Sequence, residues 1–139
     1  MEPKHIEIVR HTFDQLRPMS HSVAALFYKQ LFELDPSVEH LFHSDMRVQG
    51  RKLMEMLTII IEELDHAERL SPRIQSLGKR HVHYGVLPVH YTTVGTALLG
   101  ALEEGLGDVF TDATRAAWTQ VYSLIAQQMQ DAATGSFCS

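Results

Sequence analysis

The chain has 139 residues, which suits one domain with a sizeable buried core. Its 12 Lys and Arg against 17 Asp and Glu give a net charge of −5, so composition favours neither a nucleic-acid partner nor an anionic membrane. The single cysteine, Cys138, excludes an intrachain disulfide, and no apolar run is long enough to span a bilayer or to serve as a signal peptide. We therefore expect a soluble, cytoplasmic protein.

Apolar residues recur at helical spacing along the whole chain. The predicted helices cover residues 4–16, about 20–34, 36–42, about 46–64, 72–84, about 89–104 and 112–131. Pro18 ends the first helix, Ser20 or Ser22 is expected to cap the second, and Thr111 is expected to cap the last. No segment has the period of a strand, so the fold class is all-α with roughly seven helices. Their unequal lengths disfavour a plain four-helix bundle.

Two polar side chains lie on or beside apolar stripes. Gln49 precedes Leu53 by four residues and extends the stripe of the helix at 46–64, the most regular in the chain. A neutral amide there is either exposed by fraying or directed into a cavity. Tyr28 lies beside the stripe of the second helix, and its hydroxyl needs a partner if it is buried.

His81 is the histidine that spacing sets apart. It shares a helix face with Ile74, Leu77 and Tyr84, whereas His83 points to the solvent side. Gly85 follows where a helix end often requires a left-handed residue. Two interpretations of His81 stay open: a ligand for a metal or cofactor, or a residue at the core edge that is hydrogen-bonded to a carbonyl. His81 and His83 cannot share one ion, because residues two apart on a helix point about 200° apart.

Several short motifs together resemble a known family, the globins, and within it the bacterial single-domain globins and the haem domains of flavohaemoglobins. The resemblance runs from about His5 to Met129. It rests on Leu26-Phe27-Tyr28, Leu41-Phe42, Gln49-Gly50-Arg51-Lys52-Leu53-Met54, Leu77-Gly78-Lys79-Arg80-His81, Tyr84-Gly85-Val86, His90-Tyr91, Val94-Gly95 and Ala117-Trp118. It implies a globin fold around a haem pocket, with residues 1–139 as a single globin domain and a frayed tail at 133–139.

The resemblance also implies roles for individual residues. A non-covalent haem b would be held by His81 as the proximal iron ligand. The other positions that match the family's pocket are Phe42 against the haem plane, Tyr28 and Gln49 as the distal polar pair, Leu53 as a bulky wall, and Tyr91 beneath the proximal side. Flavohaemoglobins add a glutamate on the last helix. The matching position here is near Ala133, and Asp131 is the nearest acid, so a strongly electron-donating proximal histidine is not expected.

A globin of this kind is expected to bind O2 reversibly and with high affinity at ferrous haem iron, for oxygen binding, storage or delivery. NO and CO are further expected ligands. The alternatives are a nitric oxide dioxygenase that works with a separate reductase and a haem-based gas sensor. From the net charge and the short apolar runs, we expect no nucleic-acid partner and no membrane span.

Overall fold

Six α-helices and three short 3₁₀ segments make up most of the computed structural model, which describes residues 2–42 and 45–133. The helices are α1 (Pro3–Leu16), α2 (Ser20–Leu34), α3 (Met46–Glu62), α4 (Ala67–His83), α5 (Pro88–Leu106) and α6 (Asp112–Ala133); the 3₁₀ segments are Arg17–Met19, Pro36–Leu41 and Gly107–Val109. No residue in the described ranges lies in a strand. The all-α prediction is confirmed, and the predicted short helix after Pro36 is the second 3₁₀ segment.

Two predicted helix starts differ from the structure. Ser20 lies inside α2, whose N-cap is Met19 without a side-chain cap, because the preceding 3₁₀ segment runs directly into the helix. Helix α4 begins at Ala67, so Pro72 lies within it. The earlier start buries Leu70, although Pro72 removes one backbone hydrogen bond and its ring crowds the carbonyl four residues before it.

The end of α4 follows the prediction. Gly85 has a φ of 91°, and its N–H donates to the carbonyl of Val82 at 3.0 Å. The N–H of Val86 donates to the carbonyl of His81 at 2.9 Å. These two bonds form a Schellman motif, which fixes the backbone at His81. The predicted cap of α6 is also present, since Thr111 Oγ1 accepts from the N–H of Thr114 at 3.2 Å.

One hydrophobic cluster contains buried side chains from all six helices. Helix α6 packs against both α1 and α4, while α2 packs against α3 and α5. Between α1 and α6, Trp118 Nε1 donates to Thr12 Oγ1 at 2.9 Å, and both residues are buried. Between α4 and α6, a Cβ added at Gly78 would lie 2.8 Å from Met129 Cα, so the two backbones are in contact. This contact sets the position of the helix that carries His81.

Two features named from the sequence fall outside the described residues: Cys138 and the predicted frayed tail beyond Ala133. The extent of the predicted single domain therefore stays a prediction. In the described ranges no single helix is long and apolar enough to cross a membrane. Only α4 and α5 taken together reach the necessary length and apolar composition, and they are bent by 113°.

Candidate functional site

His81 lies on the last turn of α4 and is half-buried. Its Nδ1 donates to the main-chain oxygen of Leu77 at 2.7 Å, which assigns the proton to Nδ1 and leaves a lone pair on Nε2. Nε2 makes no hydrogen bond within the described part of the chain. Burial lowers the pKa of His81, and the charge of Arg80 adds to the effect. A neutral imidazole with a free Nε2 is the form that binds a metal.

The neighbours of His81 on α4 differ in burial. Ile74 and Leu77 are buried, and His83 is exposed, both as predicted. The prediction that Tyr84 belongs to the buried face is wrong, because α4 stops at His83 and Tyr84 turns outward before the left-handed Gly85.

A cluster of aromatic rings surrounds Tyr28 on α2. The Tyr28 side chain is only 6% exposed, and its ring centroid lies 4.9 Å from that of Phe27. Phe42, just after the 3₁₀ segment, meets Tyr28 edge-on with centroids 5.4 Å apart. Phe32 lies 5.6 Å from Phe42 and 6.0 Å from Tyr28. The structure thus brings together two of the predicted site residues, Tyr28 and Phe42.

Among the described residues, the Tyr28 hydroxyl has one acceptor for its proton, and the bond is weak. It donates to the main-chain oxygen of Gln49 at 3.5 Å, the outer limit for such a bond. Burial raises the pKa of Tyr28 to about 12, although the Gln49 side chain opposes the rise. The hydroxyl therefore keeps its proton at any physiological pH and can donate to a better acceptor.

Gln49 and Leu53 lie one turn apart near the start of α3, and both are half-buried. The main chain of Gln49 is helical, with its N–H donating to Asp45 at 3.0 Å, so the fraying considered from sequence is absent there. A Cβ added at Gly50 would lie 3.1 Å from Ala24 Cβ. This close approach of α2 and α3 keeps Gln49 beside Tyr28.

The segment around His81 and the segment around Phe42 are in contact through neighbouring residues. A Cβ added at Gly85 would lie 3.4 Å from Leu41 Cδ2. The turn that follows His81 therefore contacts the residue that precedes Phe42.

Tyr91 lies on the first turn of α5 and is half-buried, and burial raises its pKa. Its main-chain oxygen accepts a hydrogen bond from the Tyr122 hydroxyl at 2.7 Å. Tyr122 also packs on Gly95, where an added Cβ would lie 2.8 Å from its Cε2. Helical spacing puts Tyr122 four residues after Trp118 on one face of α6, but spacing alone gives no partner for its hydroxyl.

Helix α6 ends at Ala133, and the Asp131 side chain accepts a hydrogen bond from Gln127 Nε2 at 2.9 Å on the same helix. The expected departure from the flavohaemoglobin glutamate stays a prediction.

The donor set fits a haem. His81, with its tautomer fixed, offers a nitrogen ligand for the iron. Phe42 and Leu53 offer aromatic and aliphatic walls, and Tyr28 offers a protonated hydroxyl for a ligand of the iron. The role of each residue in binding it stays a prediction.

Comparisons with known proteins agree with this fold. The globin family model matches residues 25–129. Flavohemoprotein A of Dictyostelium discoideum is 30% identical over 133 residues, covering 95% of this chain and 34% of that protein. A flavohemoprotein of Xylella fastidiosa is 32% identical over 132 residues, covering 93% of this chain and 33% of that protein. The chain thus spans about a third of the length of these relatives.

A solved structure extends the likeness to nearly every residue. It is a protein of Rhodothermus marinus, a candidate nitric oxide dioxygenase engineered as a carbene transferase. It superposes with a TM-score of 0.87 at 25% identity, over 99% of this chain and 96% of that one. With the family model matching three quarters of its length and the fold matching throughout, the chain belongs to the globin family.

Proposed function

We propose that this globin holds a non-covalent haem b through Nε2 of His81 and binds O2 reversibly and with high affinity. Haem would supply a ferrous iron with one coordination position open to a diatomic ligand. The observation that carries the proposal is the Tyr28 hydroxyl, a buried and protonated donor that has only a 3.5 Å contact.

The proximal residues hold the imidazole in one orientation. The Leu77 carbonyl accepts from Nδ1 and so presents Nε2 to the iron, and this bond also raises the basicity of the ring. The hydrogen bond from Val86 fixes the main chain of His81 itself. Both constraints come from the chain's own main-chain groups, which would hold the ring in one orientation for the cofactor.

The distal residues favour a ligand that carries negative charge. A hydrogen bond to a charged acceptor contributes about 1.5–3 kcal/mol, and Tyr28 can donate one. Since each 1.4 kcal/mol is about tenfold, this bond tightens O2 binding by roughly one to two orders of magnitude. Gln49 would add an amide donor on the same side, while Phe42 and Leu53 keep water out. Slow O2 dissociation is the expected result, and it suits storage or scavenging.

A second candidate function is the conversion of nitric oxide to nitrate. The relatives named flavohemoproteins and the neighbour named as a candidate nitric oxide dioxygenase support it. In this reaction O2, NO and one electron give nitrate, so each turnover needs a reductant, which we propose is a separate reductase. Multiple-turnover NO consumption, measured with and without a flavin-dependent reductase, distinguishes this function from O2 binding alone.

The proposal is tested by the absorption spectra of the purified protein in ferric, deoxy and CO-bound forms. We expect a Soret band after haem reconstitution and a mainly five-coordinate deoxy spectrum. His81→Ala should abolish the five-coordinate histidine-bound form, while His83→Ala, a matched change two residues away on the solvent side, should retain it. No Soret band, or equal spectra for the two variants, would overturn the proposal.

A further inference from the structure

The turn between α4 and α5 exposes an unusual number of large apolar side chains. We define the α4–α5 corner as residues 79–90. Within it, four large apolar side chains are between 50% and 65% exposed: Val82, Tyr84, Leu87 and Val89. The described part of the chain has only ten exposed side chains of this kind, so four of them fall within eight residues. Exposed apolar groups at this density mark an interaction surface.

The same corner is basic, although the protein is acidic. Lys79 and Arg80 are exposed, and neither forms an ion pair with a described residue. Residues 69–102 contain four cations and no carboxylate, so the rest of the chain has a net charge of −9. The positive rim of the corner is made by Lys79 and Arg80.

The corner borders the candidate site. It begins two residues before His81 and contains Gly85, whose added Cβ would contact Leu41 beside Phe42. A partner seated on it would lie next to the helix that carries the proposed iron ligand.

We propose that the α4–α5 corner is the docking surface for an acidic flavoprotein that reduces the haem iron, a partner that rests on the haem-binding function proposed above. One electron passes from the partner's reduced flavin to the iron, which goes from ferric to ferrous, and no atom is transferred. Apolar side chains beside a rim of one charge fit a partner with complementary apolar and acidic groups. The opposite charges would also speed association.

Charge disfavours the other occupants. In a two-fold dimer through this surface, the cations of one corner would face those of its partner. An anionic membrane would attract the corner, but it would repel the remainder of the molecule, which carries a net charge of −9. A small acidic protein would contact the corner alone and avoid much of this repulsion.

The test uses holoprotein and reduced flavodoxin, a small acidic FMN protein, as the probe. The corner variant is Lys79→Glu with Leu87→Glu. Its matched control is Lys29→Glu with Leu34→Glu on α2, where Leu34 is 53% exposed and the charge change is the same. The rate of ferric haem reduction is followed by stopped flow. The affinity for oxidised flavodoxin, with and without haem, is measured by calorimetry.

We expect the corner variant to slow reduction and weaken binding by about tenfold or more at low ionic strength, and the control to change each by less than about threefold. Added salt should slow the wild type and the control but hardly affect the corner variant. Equal effects in both variants, or none in either, would overturn the proposal. So would self-association through the corner, or corner-dependent binding to phosphatidylglycerol vesicles without any to flavodoxin.

Failure of the docking proposal differs from failure of the function. If dithionite reduces the haem and O2 binds, but flavodoxin is insensitive to the corner, only the docking surface is wrong. If no Soret band forms, the haem function fails, and the calorimetry on the haem-free protein still decides the docking.

Discussion

Burial of the Tyr28 hydroxyl supports its proposed role toward a ligand. A buried hydroxyl without a good acceptor is costly, and among the described residues its acceptor is the Gln49 main-chain oxygen at 3.5 Å. The surrounding rings of Phe27, Phe32 and Phe42 offer no oxygen or nitrogen in its place. An electron-rich ligand in the pocket would supply the missing acceptor. Ligand binding would then remove the free-energy cost of the poorly bonded hydroxyl.

Replacing Tyr28 with phenylalanine should raise the O2 dissociation rate by about one to two orders of magnitude, since one hydrogen bond to a charged acceptor is lost. The CO association rate should change much less, because CO accepts hydrogen bonds poorly. Ligand-replacement stopped flow measures both. Tyr84→Phe removes a hydroxyl from an exposed ring and serves as the control. An unchanged O2 dissociation rate in Tyr28→Phe would remove this residue from the mechanism.

At the scale of elements, close packing against α6 positions the helices that carry His81 and Tyr91. Gly78 lets α4 touch the main chain of α6 at Met129, and Gly95 lets α5 accept the ring of Tyr122. Tyr122 in turn ties α6 to the main chain of Tyr91. Helix α6 is thus the support on which the helices carrying His81 and Tyr91 rest.

Gly78→Ala should destabilise the protein by several kcal/mol, because the new methyl group would overlap the Met129 backbone, which cannot move without shifting a helix. Gly100→Ala is the matched control. Its methyl group would meet only the side chain of Gln30, which can rotate away, so the better helix propensity of alanine should leave stability equal or up to about 1 kcal/mol higher. Urea unfolding measures both. A Gly78→Ala protein as stable as the wild type would show that α4 and α6 are not in contact.

Signals that are local in the chain predicted the helices well. Apolar periodicity gave all six α-helices, and Gly85 and Thr111 marked two helix ends correctly. The start of α4 was missed because the turn before Pro72 buries Leu70 in the core, which offsets the lost hydrogen bond and the crowding at Pro72. Local helix signals do not include that competition.

Contacts between distant residues could not be predicted in the same way. The hydrogen bonds from Tyr28 to Gln49 and from Tyr122 to Tyr91 join residues 21 and 31 positions apart. The position of each site residue came from the family resemblance, and the acceptor of each hydroxyl required the packed helices.

For the whole molecule, buried tyrosines link stability to alkaline pH. Burial raises the pKa of Tyr28 to about 12 and raises the pKa values of Tyr91 and Tyr122 as well, against an ordinary value of 10.0. The folded state therefore holds these protons more tightly than the unfolded state does. Their stabilising contribution is complete below pH 10 and is lost as pH rises from 10 toward 12.

The free energy of unfolding should therefore fall steeply above pH 10, with Tyr28 alone accounting for up to about 2–3 kcal/mol by pH 12. Urea titrations at pH 8, 9, 10, 10.5 and 11, followed by circular dichroism, measure this slope. A Tyr28→Phe, Tyr122→Phe variant should show a shallower slope, since phenylalanine has no proton to lose, even if its stability at pH 8 is lower. Tyr84→Phe, changed at an exposed ring, should keep the wild-type slope. If the double variant loses stability as steeply as the wild type, groups other than these tyrosines cause the alkaline transition.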